Sequence, residues 1–171
     1  LETSYMYALL ARLYGNNNLP DSSNMCHEST SVGLKASIGV PVGTVVIEDF
    51  DKADALFFFG QNVGSNSPRM LHQLKSAVDR GATIVAFNPL RERGLERFTD
   101  PQNPVQMATL SETQIAREYF QVRPGGDIAV VAGMSRWLIE RDAATTSAGK
   151  PAILDHVFIA EHTSGYGAFS E

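Results

Sequence analysis

The sequence is poor in cysteine and contains no long hydrophobic run. Cys26 is the only cysteine among 171 residues, so neither an internal disulfide framework nor a CxxC metal site can form within this chain. No apolar stretch approaches the roughly 20 residues that a membrane-spanning helix needs. We therefore expect no membrane span and no iron–sulfur cluster held by these residues alone.

Neither sign of charge dominates the chain. There are 14 Lys and Arg against 19 Asp and Glu, which gives a net charge of −5 with His neutral. This mild acidity disfavours a general phosphate-backbone binder, so we expect no nucleic-acid partner. An apolar content of 43% excludes a disordered chain. Because the first helical pattern begins at once and without Met, we expect residues 1–171 to be a single domain excised from a larger multidomain subunit.

The first third of the chain predicts two helices around a polar loop. Apolar residues at helical spacing indicate a helix over residues 2–14, and Gly15 suits its end. Residues 15–24 are rich in Asn, Ser, Pro and Gly and are interpreted as a loop. A second helix is expected to be capped by residues 29–31 and to run to Ile38.

The middle of the chain alternates strand and helix patterns. Residues 55–59 and 83–87 are uninterrupted apolar runs typical of buried parallel strands, and a helical stripe over 67–80 lies between them. A short strand at 119–122 and a helix at 128–141 follow. This order predicts an α/β fold with an open, mostly parallel, doubly wound sheet and helices on both faces. The connecting segments 99–114 and 142–150 are interpreted as irregular, and a last short helix is expected around 153–160.

Three polar turns follow the predicted strands, at Gly60–Ser67, Asn88-Pro89 and Gly125–Asp127. In open α/β sheets, ligands bind outside the carboxyl ends of the strands. Glycine permits close backbone approach, and Asn and Ser offer neutral hydrogen-bond donors. None of the turns matches GxGxxG or a P-loop, and any α/β fold needs such residues in its turns. A binding role and an ordinary turn role both stay open.

Cys26-His27 is the chemically unusual pair. One interpretation is a buried structural cysteine beside a surface histidine, in a non-catalytic α/β ligand-binding module. The other is a thiolate near a helix N-terminus that reacts or binds a metal, with His27 transferring protons. A hydrolase dyad is less natural, because adjacent side chains rarely face each other. The remaining histidines share no metal spacing with Cys26 and are interpreted as structural or surface residues: His72, His156 and His162.

The segment Asn24–Leu34, NMCHESTSVGL, resembles the active-site segment of the molybdopterin oxidoreductases of the dimethyl-sulfoxide-reductase superfamily, formate dehydrogenase branch. Members of that branch carry Cys or selenocysteine followed by His. Five further landmarks recur in the family's order: Tyr14–Asn18, Phe59–Asn62, Phe87–Pro89, Arg123–Asp127 and Phe158–Thr163. The resemblance extends over essentially the whole chain.

The resemblance implies a Rossmann-like domain of a larger catalytic subunit. In the family, four domains enclose a bis(molybdopterin guanine dinucleotide) cofactor with molybdenum, and this chain resembles the domain that holds one guanine dinucleotide. The implied function is a molybdenum-dependent oxidoreductase with electron transfer, whose isolated fragment is expected to be inactive. We also expect a cytoplasmic location. The implied partners are a small-molecule substrate, the remaining domains of the same subunit and an electron-transfer partner. Any iron–sulfur cluster would lie outside this chain.

Residue by residue, the resemblance implies that Cys26 ligates molybdenum and that His27 accepts the substrate proton. Nine turn residues match cofactor-binding positions: Gly60, Asn62, Ser65, Asn66, Asn88, Pro89, Gly125, Gly126 and Asp127. Three positions depart from the family pattern. Asn88 replaces an Asp, Leu90 replaces an Arg, and Glu28 replaces the Gly common in formate dehydrogenases. A carboxylate beside the metal disfavours an anionic substrate such as formate.

Overall fold

The computed structural model describes residues 1–20 and 22–171. Two units are present, Leu1–Val46 and Ile47–Glu171. The expectation that residues 1–171 form one domain of a longer polypeptide stays a prediction. Among the described residues, no helix is both long and apolar enough to span a membrane.

The first unit contains three helices in its described part: α1 (Glu2–Leu13), α2 (Ser22–Cys26) and α3 (Glu28–Ile38). The predicted first helix is confirmed. The predicted loop over 15–24 extends too far along the chain. The stretch from Ser22 contains no glycine or proline and forms a helical turn instead. Residue 21 lies outside the described residues. The expected hydroxyl cap at 29–31 is also wrong. His27 is the N-cap without a side-chain hydrogen bond, and Glu28 places a negative charge in the first turn.

The second unit begins with a 3₁₀ helix, Ile47–Asp51, and is built on a strand–helix–strand unit. β1 (Ala55–Phe59) leads through the short α4 (Val63–Asn66) and through α5 (Met70–Asp79) to β2 (Thr83–Phe87). β1 and β2 pair in parallel, from Ala55 opposite Thr83 to Phe59 opposite Phe87. This confirms the predicted strand–helix–strand unit.

A short excursion follows β2 before the third strand of the sheet. It comprises α6 (Arg93–Glu96), β3 (Arg97–Phe98), α7 (Pro104–Thr109) and β4 (Thr113–Gln114), with β3 antiparallel to β4. β5 (Glu118–Phe120) then pairs in parallel with β2, so the strand order is β1-β2-β5.

The expectation of an irregular segment over 99–114 is therefore wrong in part. Asn103 caps α7, because its Oδ1 accepts hydrogen bonds from the backbone N–H of Val105 at 3.0 Å and of Gln106 at 3.2 Å. Pro104 occupies the first turn, where its missing N–H costs nothing. An Asn-Pro pair of this kind is a helix start signal.

One face of the sheet carries the core. Leu71 and Leu74 of α5 share a buried cluster with Ile84 and Ala86 of β2 and with Leu95 of α6. Burying one such side chain stabilises the fold by about 1.5–3 kcal/mol.

The opposite face of the sheet carries a ladder of stacked phenylalanines. Phe59 and Phe120 stack on Phe87, with ring centroids 4.6 and 5.4 Å away, and Phe57 lies beyond. Phe57 and Phe120 are each about half exposed, at 50% and 49%. The α/β class and the parallel sheet are confirmed; the doubly wound arrangement with helices on both faces stays a prediction.

The remainder of the unit is helical: α8 (Asp127–Ser147), α9 (His156–His162) and α10 (Tyr166–Ser170). The expected loop over 142–150 is wrong at its start, because alanine-rich sequence extends α8 to Ser147 before Gly149, which has a positive φ. The last predicted helix starts later than expected, at His156, because Asp155 Oδ1 accepts a hydrogen bond from Phe158 N–H at 2.9 Å.

Asp142 anchors the segment after α8. Its side chain is only 4% exposed, and its Oδ1 accepts hydrogen bonds from the backbone N–H of Ile153 at 2.6 Å and of Leu154 at 2.9 Å. Its Oδ2 lies 2.7 Å from His156 Nε2. The bond from Leu154, helped by His156, lowers the pKa of Asp142 below its ordinary value against the opposing effect of desolvation.

We expect Asp142→Asn to lower the melting temperature by several degrees near pH 7. The amide oxygen can still accept hydrogen bonds, but the charge beside His156 is lost. Because the folded pKa lies below the unfolded value of 3.8, the ionised carboxylate stabilises the chain above that pH. Its contribution disappears as the pH falls through the folded pKa.

Thermal melts followed by circular dichroism near pH 7 and near pH 2 measure this difference. The difference between the two proteins should shrink at the lower pH. Asp79→Asn, at an exposed helix position, is the matched control and should melt close to wild type. Equal melting of Asp142→Asn and wild type near pH 7 would contradict the anchoring role.

Candidate functional site

The carboxyl ends of the three parallel strands lie at one edge of the sheet. The polar turn after β1 starts there, where Gly60 N–H donates to Phe87 O at 2.9 Å. The turn after β2 starts beside it, where Asn88 N–H donates to Phe120 O at 3.1 Å. Two of the three predicted turns are thus brought together by the parallel pairing. We call this region the carboxyl edge.

The turn after β1 is shaped by Asn62. Its Oδ1 accepts a hydrogen bond from Ser65 N–H at 3.3 Å and so caps α4. Ser65 and Asn66 are exposed. Gly60 has a φ of 66°, and a Cβ built on it would meet no heavy atom within 4 Å. The backbone at Gly60 is therefore open to close approach by a ligand.

Two glycines join the turn after β1 to the segment after β2. A Cβ built on Gly64 would lie 2.5 Å from Gly94 Cα, and one built on Gly94 would lie 2.6 Å from Asn62 Oδ1. The two segments therefore touch through their backbones, and a side chain at either glycine would force them apart. Gly94 is not among the residues predicted from the sequence, although a glycine shortly after a strand end is the available signal.

The turn after β2 is closed by Asn88. This residue is 5% exposed, and its Nδ2 donates hydrogen bonds to Leu90 O at 2.5 Å and to Glu92 Oε2 at 2.8 Å. Both amide hydrogens are therefore used within the chain. Contact of Asn88 and Pro89 with a cofactor stays a prediction, and the observed bonds give Asn88 a definite role in shaping the turn.

Side chains of β5 and of the residue after it clamp the same turn. Tyr119 Oη donates a hydrogen bond to Leu90 O at 2.6 Å and accepts one from Glu92 N–H at 3.2 Å. Gln121 Nε2 donates to Pro89 O at 3.2 Å. β5 and the residue after it thus hold the turn in place. No motif in the sequence points to Tyr119, Gln121 or Glu92.

The third predicted turn, Gly125–Asp127, lies farther along the chain from its strand. Gly125 has a φ of 78°, and Gly126 N–H donates to Arg123 O at 2.8 Å. Gly126 is the N-cap of α8, and Asp127 occupies the first turn, where its charge favours the helix dipole. The hydrogen bond of Gly126 N–H thus stays within its own segment.

Cys26 and His27 lie in the first unit, whereas the three turns lie in the second. Cys26 is the last residue of α2 and is exposed, so the interpretation as a buried structural cysteine is wrong. Cys26 and His27 form the junction between α2 and α3. His27 N–H donates to Ser23 O, and His27 O accepts from Ser31 N–H, both at 2.9 Å. Asn24 Nδ2 donates to Glu28 Oε2 at 2.5 Å.

Residues 1–20 and 22–171 hold no cluster of three or more His, Cys, Asp or Glu that could bind a metal by itself. Of the other histidines, His156 bonds to Asp142, and His72 lies 4.0 Å from Asp100. Both contacts agree with their interpretation as structural residues.

No family model matches the chain. It is 59% identical over 165 residues to Protein YdeP of Escherichia coli, covering 96% of this chain and 22% of that protein. It is 44% identical over 168 residues to an uncharacterized oxidoreductase of Mycobacterium tuberculosis, covering 98% of this chain and 21% of that protein. It is 25% identical over 171 residues to the F420-dependent formate dehydrogenase subunit alpha of Methanocaldococcus jannaschii, covering 99% of this chain and 21% of that protein. The chain thus spans about a fifth of the length of these relatives.

We expect Gly94→Ala to destabilise the chain by about 1–3 kcal/mol, because its methyl group would overlap Asn62 and separate the two turns. Gly133→Ala is the matched control, since a Cβ there meets no heavy atom within 4 Å. In the interior of α8 it should be neutral or stabilising by up to about 1 kcal/mol. Urea unfolding of both variants measures the difference. Equal stability of the two variants would contradict the close backbone contact.

Proposed function

We propose that this chain is a domain of a molybdenum-dependent oxidoreductase that binds one guanine dinucleotide of bis(molybdopterin guanine dinucleotide). In this proposal Cys26 supplies the protein thiolate to molybdenum. The observation that carries the proposal is the carboxyl edge, where the turns after β1 and β2 meet through backbone contact at Gly64 and Gly94. Ligands of open α/β sheets bind at such an edge.

The residues of the carboxyl edge fit a dinucleotide. Gly60 leaves a space that a Cβ would fill, so an extended ligand can lie directly against the backbone there. Ser65 and Asn66 are exposed beside it and offer a hydroxyl and an amide, the neutral groups that suit phosphate and sugar oxygens. Gly125, Gly126 and Asp127 begin the long helix α8 and are proposed to complete the site.

Cys26 of the first unit suits a metal whose other ligands are supplied by the cofactor. Cys26 is exposed, and its thiolate is a soft ligand suited to a molybdenum already held by dithiolene sulfurs. One protein thiolate is enough for such a metal. This accessibility favours the metal-binding interpretation over a non-catalytic module with a structural cysteine.

The cofactor, when bound, would supply the electron chemistry of the oxidoreductase. The chain's own residues would hold it and move a proton. The Cys26 Sγ would bind as thiolate, and the imidazole of His27, next in the chain, would accept a proton from the substrate. Glu28 would shape the substrate preference. Its carboxylate is held by the Asn24 amide and disfavours an anion, so we propose a neutral or cationic substrate rather than formate.

The names of the relatives support redox chemistry. One relative at 44% identity is named an oxidoreductase, and one at 25% identity is named a formate dehydrogenase subunit. Because this chain spans about a fifth of each, the activity of a whole protein is part of the proposal. An electron-transfer partner stays a prediction of the resemblance, and a cytoplasmic location stays a separate expectation.

The phenylalanine ladder supports the proposal that further domains of a longer protein surround this one. Parallel sheets are normally covered on both faces. Here Phe57, Phe87 and Phe120 line an apolar cavity of about 600 Å³, together with Val130 and Met134 of α8. We propose that polypeptide from the remaining domains of the same subunit covers the exposed part of this face.

We expect Cys26→Ala and Cys26→Ser, made in the full-length protein, to abolish turnover while molybdenum is retained. Two dithiolenes and the nucleotide contacts would still hold the cofactor, so the loss of one thiolate changes the metal's reactivity more than its retention. Metal analysis, molybdenum X-ray absorption and dye-linked turnover with neutral substrates measure these effects. The absorption spectrum should lose one sulfur neighbour. Full turnover by Cys26→Ala would reject metal ligation by this residue.

His27→Gln should keep the metal environment and slow turnover by roughly 10²–10⁴, the range typical of a general acid–base group. His72→Gln, at a partly exposed position of α5 outside the family landmarks, is the control and should leave turnover unchanged. Equal rates for the two variants would remove His27 from the proton transfer. Absence of molybdenum from the full-length protein, purified from cells supplied with molybdate, would overturn the proposed function itself.

A further inference from the structure

We infer that α1 is a docking helix, whose exposed apolar face binds in an apolar groove formed by the remaining polypeptide of the same subunit. The inference rests on the proposed function, in which this chain is one domain of a longer protein. It assigns an intramolecular partner to a helix that takes no part in the proposed cofactor site, although this helix belongs to the same unit as Cys26.

The apolar residues of α1 have the spacing of a helix that binds in a groove. Met6, Leu10 and Leu13 follow one another at i, i+4 and i+7 and therefore lie along one side of the helix. Their exposed fractions are 59%, 64% and 79%. Helices that lay an apolar face into a partner's groove present anchors at these intervals. We call Met6, Leu10 and Leu13 the anchor row.

The helix carries its large and small side chains in the reverse of the usual arrangement. Ala8 and Ala11 are half-buried, whereas the anchor row is exposed. A surface helix of a globular domain normally packs its large apolar residues on the core and leaves the opposite face to solvent. In α1 the face that normally builds a core is the open one, so the arrangement indicates a further surface that covers it.

The contacts within the first unit are too few to hold α1. None of the twelve residues of this helix, all of which the structure describes, is buried. The same is true of the described part of the whole unit, residues 1–20 and 22–46. Isolated helices shorter than about 12–15 residues are marginal in water even with good helix formers. Packing on a further surface therefore supplies the stability that α1 lacks by itself.

The size of the face favours a partner within the same polypeptide over a second copy of the chain. A helix of twelve residues is about 18 Å long and about 10 Å wide, so one face covers about 200 Å². A stable interface between separate proteins buries about 800 Å² on each partner. Docking within one polypeptide avoids the entropic cost of association, so a smaller face is enough. The relatives are long enough to supply the groove, because this chain spans about a fifth of them.

The side chains around the anchor row indicate the chemistry of the groove. By helical spacing, Tyr5 lies on one side of the row and Tyr7 and Tyr14 lie on the other, and all three are exposed. A tyrosine that is buried by a partner usually finds a hydrogen-bond partner for its hydroxyl. The charged residues Glu2 and Arg12 lie in the first and last turns of the helix. The groove is therefore apolar along its floor, with hydrogen-bond acceptors at its rim.

Hydrogen–deuterium exchange of the full-length protein, purified from cells supplied with molybdate, tests the docking. In wild type the backbone amides of α1 should exchange about a hundredfold or more slowly than in an unfolded chain, because a docked helix opens rarely. A helix of this length that stays undocked would be slowed only slightly. The amides of β2 are the internal reference for the fold of the second unit.

Leu10→Gln should speed exchange throughout α1 by about tenfold or more, because glutamine keeps the helix propensity but loses the apolar burial. Met6→Gln, which keeps the length of the side chain, is a second and milder variant in case Leu10→Gln accumulates poorly. Ser4→Gln introduces the same side chain at an exposed polar position of α1 and should leave its exchange unchanged. The amides of β2 should exchange alike in all four proteins.

Molybdenum is measured on the same preparations, which separates this inference from the proposed function. Unprotected α1 in a protein that contains molybdenum would overturn the inference alone. Protected α1 in a protein without molybdenum would support the docking and overturn the proposed function. Protection that is lost on dilution, together with dissociation of a dimer in sedimentation velocity, would assign the face to a second copy and overturn the intramolecular partner. Equal acceleration by Ser4→Gln and Leu10→Gln would overturn the role of the anchor row.

Discussion

The parallel pairing of β2 with a strand on each side is the constraint on which the rest of the second unit depends. It directs the carboxyl ends of three strands to one edge, so the turns that follow β1 and β2 start next to each other. The helix α5 closes the crossover by placing Leu71 and Leu74 on β2. If β1 paired with β2 in the antiparallel sense, these two polar turns would leave the sheet at opposite ends and could not share a ligand.

The sequence predicts the elements that depend on local pattern. The apolar runs at 55–59 and 83–87 agree with β1 and β2 at both ends. The expected burial is confirmed for β2 but is wrong for β1, because Phe57 and Phe59 lie on the partly open face of the sheet. The errors arise where local signals compete. The extension of α8 beyond residue 141 follows from alanine, whose helix propensity overrides the impression of a small-residue loop. The helical turn before Cys26 is too short to leave a periodic pattern.

The residues of the candidate site also fall into those that a local pattern predicts and those that only the tertiary structure brings together. Its glycines and amides are visible in the sequence because turns after strands require them. The Asn88–Glu92–Tyr119 clamp is not visible, because Tyr119 lies 27 residues from Glu92 in the chain and approaches it only through the pairing of β5 with β2. Similarly, the contact of Gly64 with Gly94 joins segments that are distant in the chain. Local patterns indicate the residues of such a site, and tertiary structure decides which of their atoms are already engaged.

The position of the Asp142 anchor along the chain also bears on how this protein folds. Its three hydrogen-bond partners lie 11 to 14 residues away, so the loop that they close is short and its entropic cost is small. The sheet instead depends on contacts over much longer separations, which form more slowly. The α8–α9 segment can therefore become ordered as a local unit before the third strand docks. Amide hydrogens of Ile153 and Leu154 would then gain protection early in refolding, ahead of those in β5.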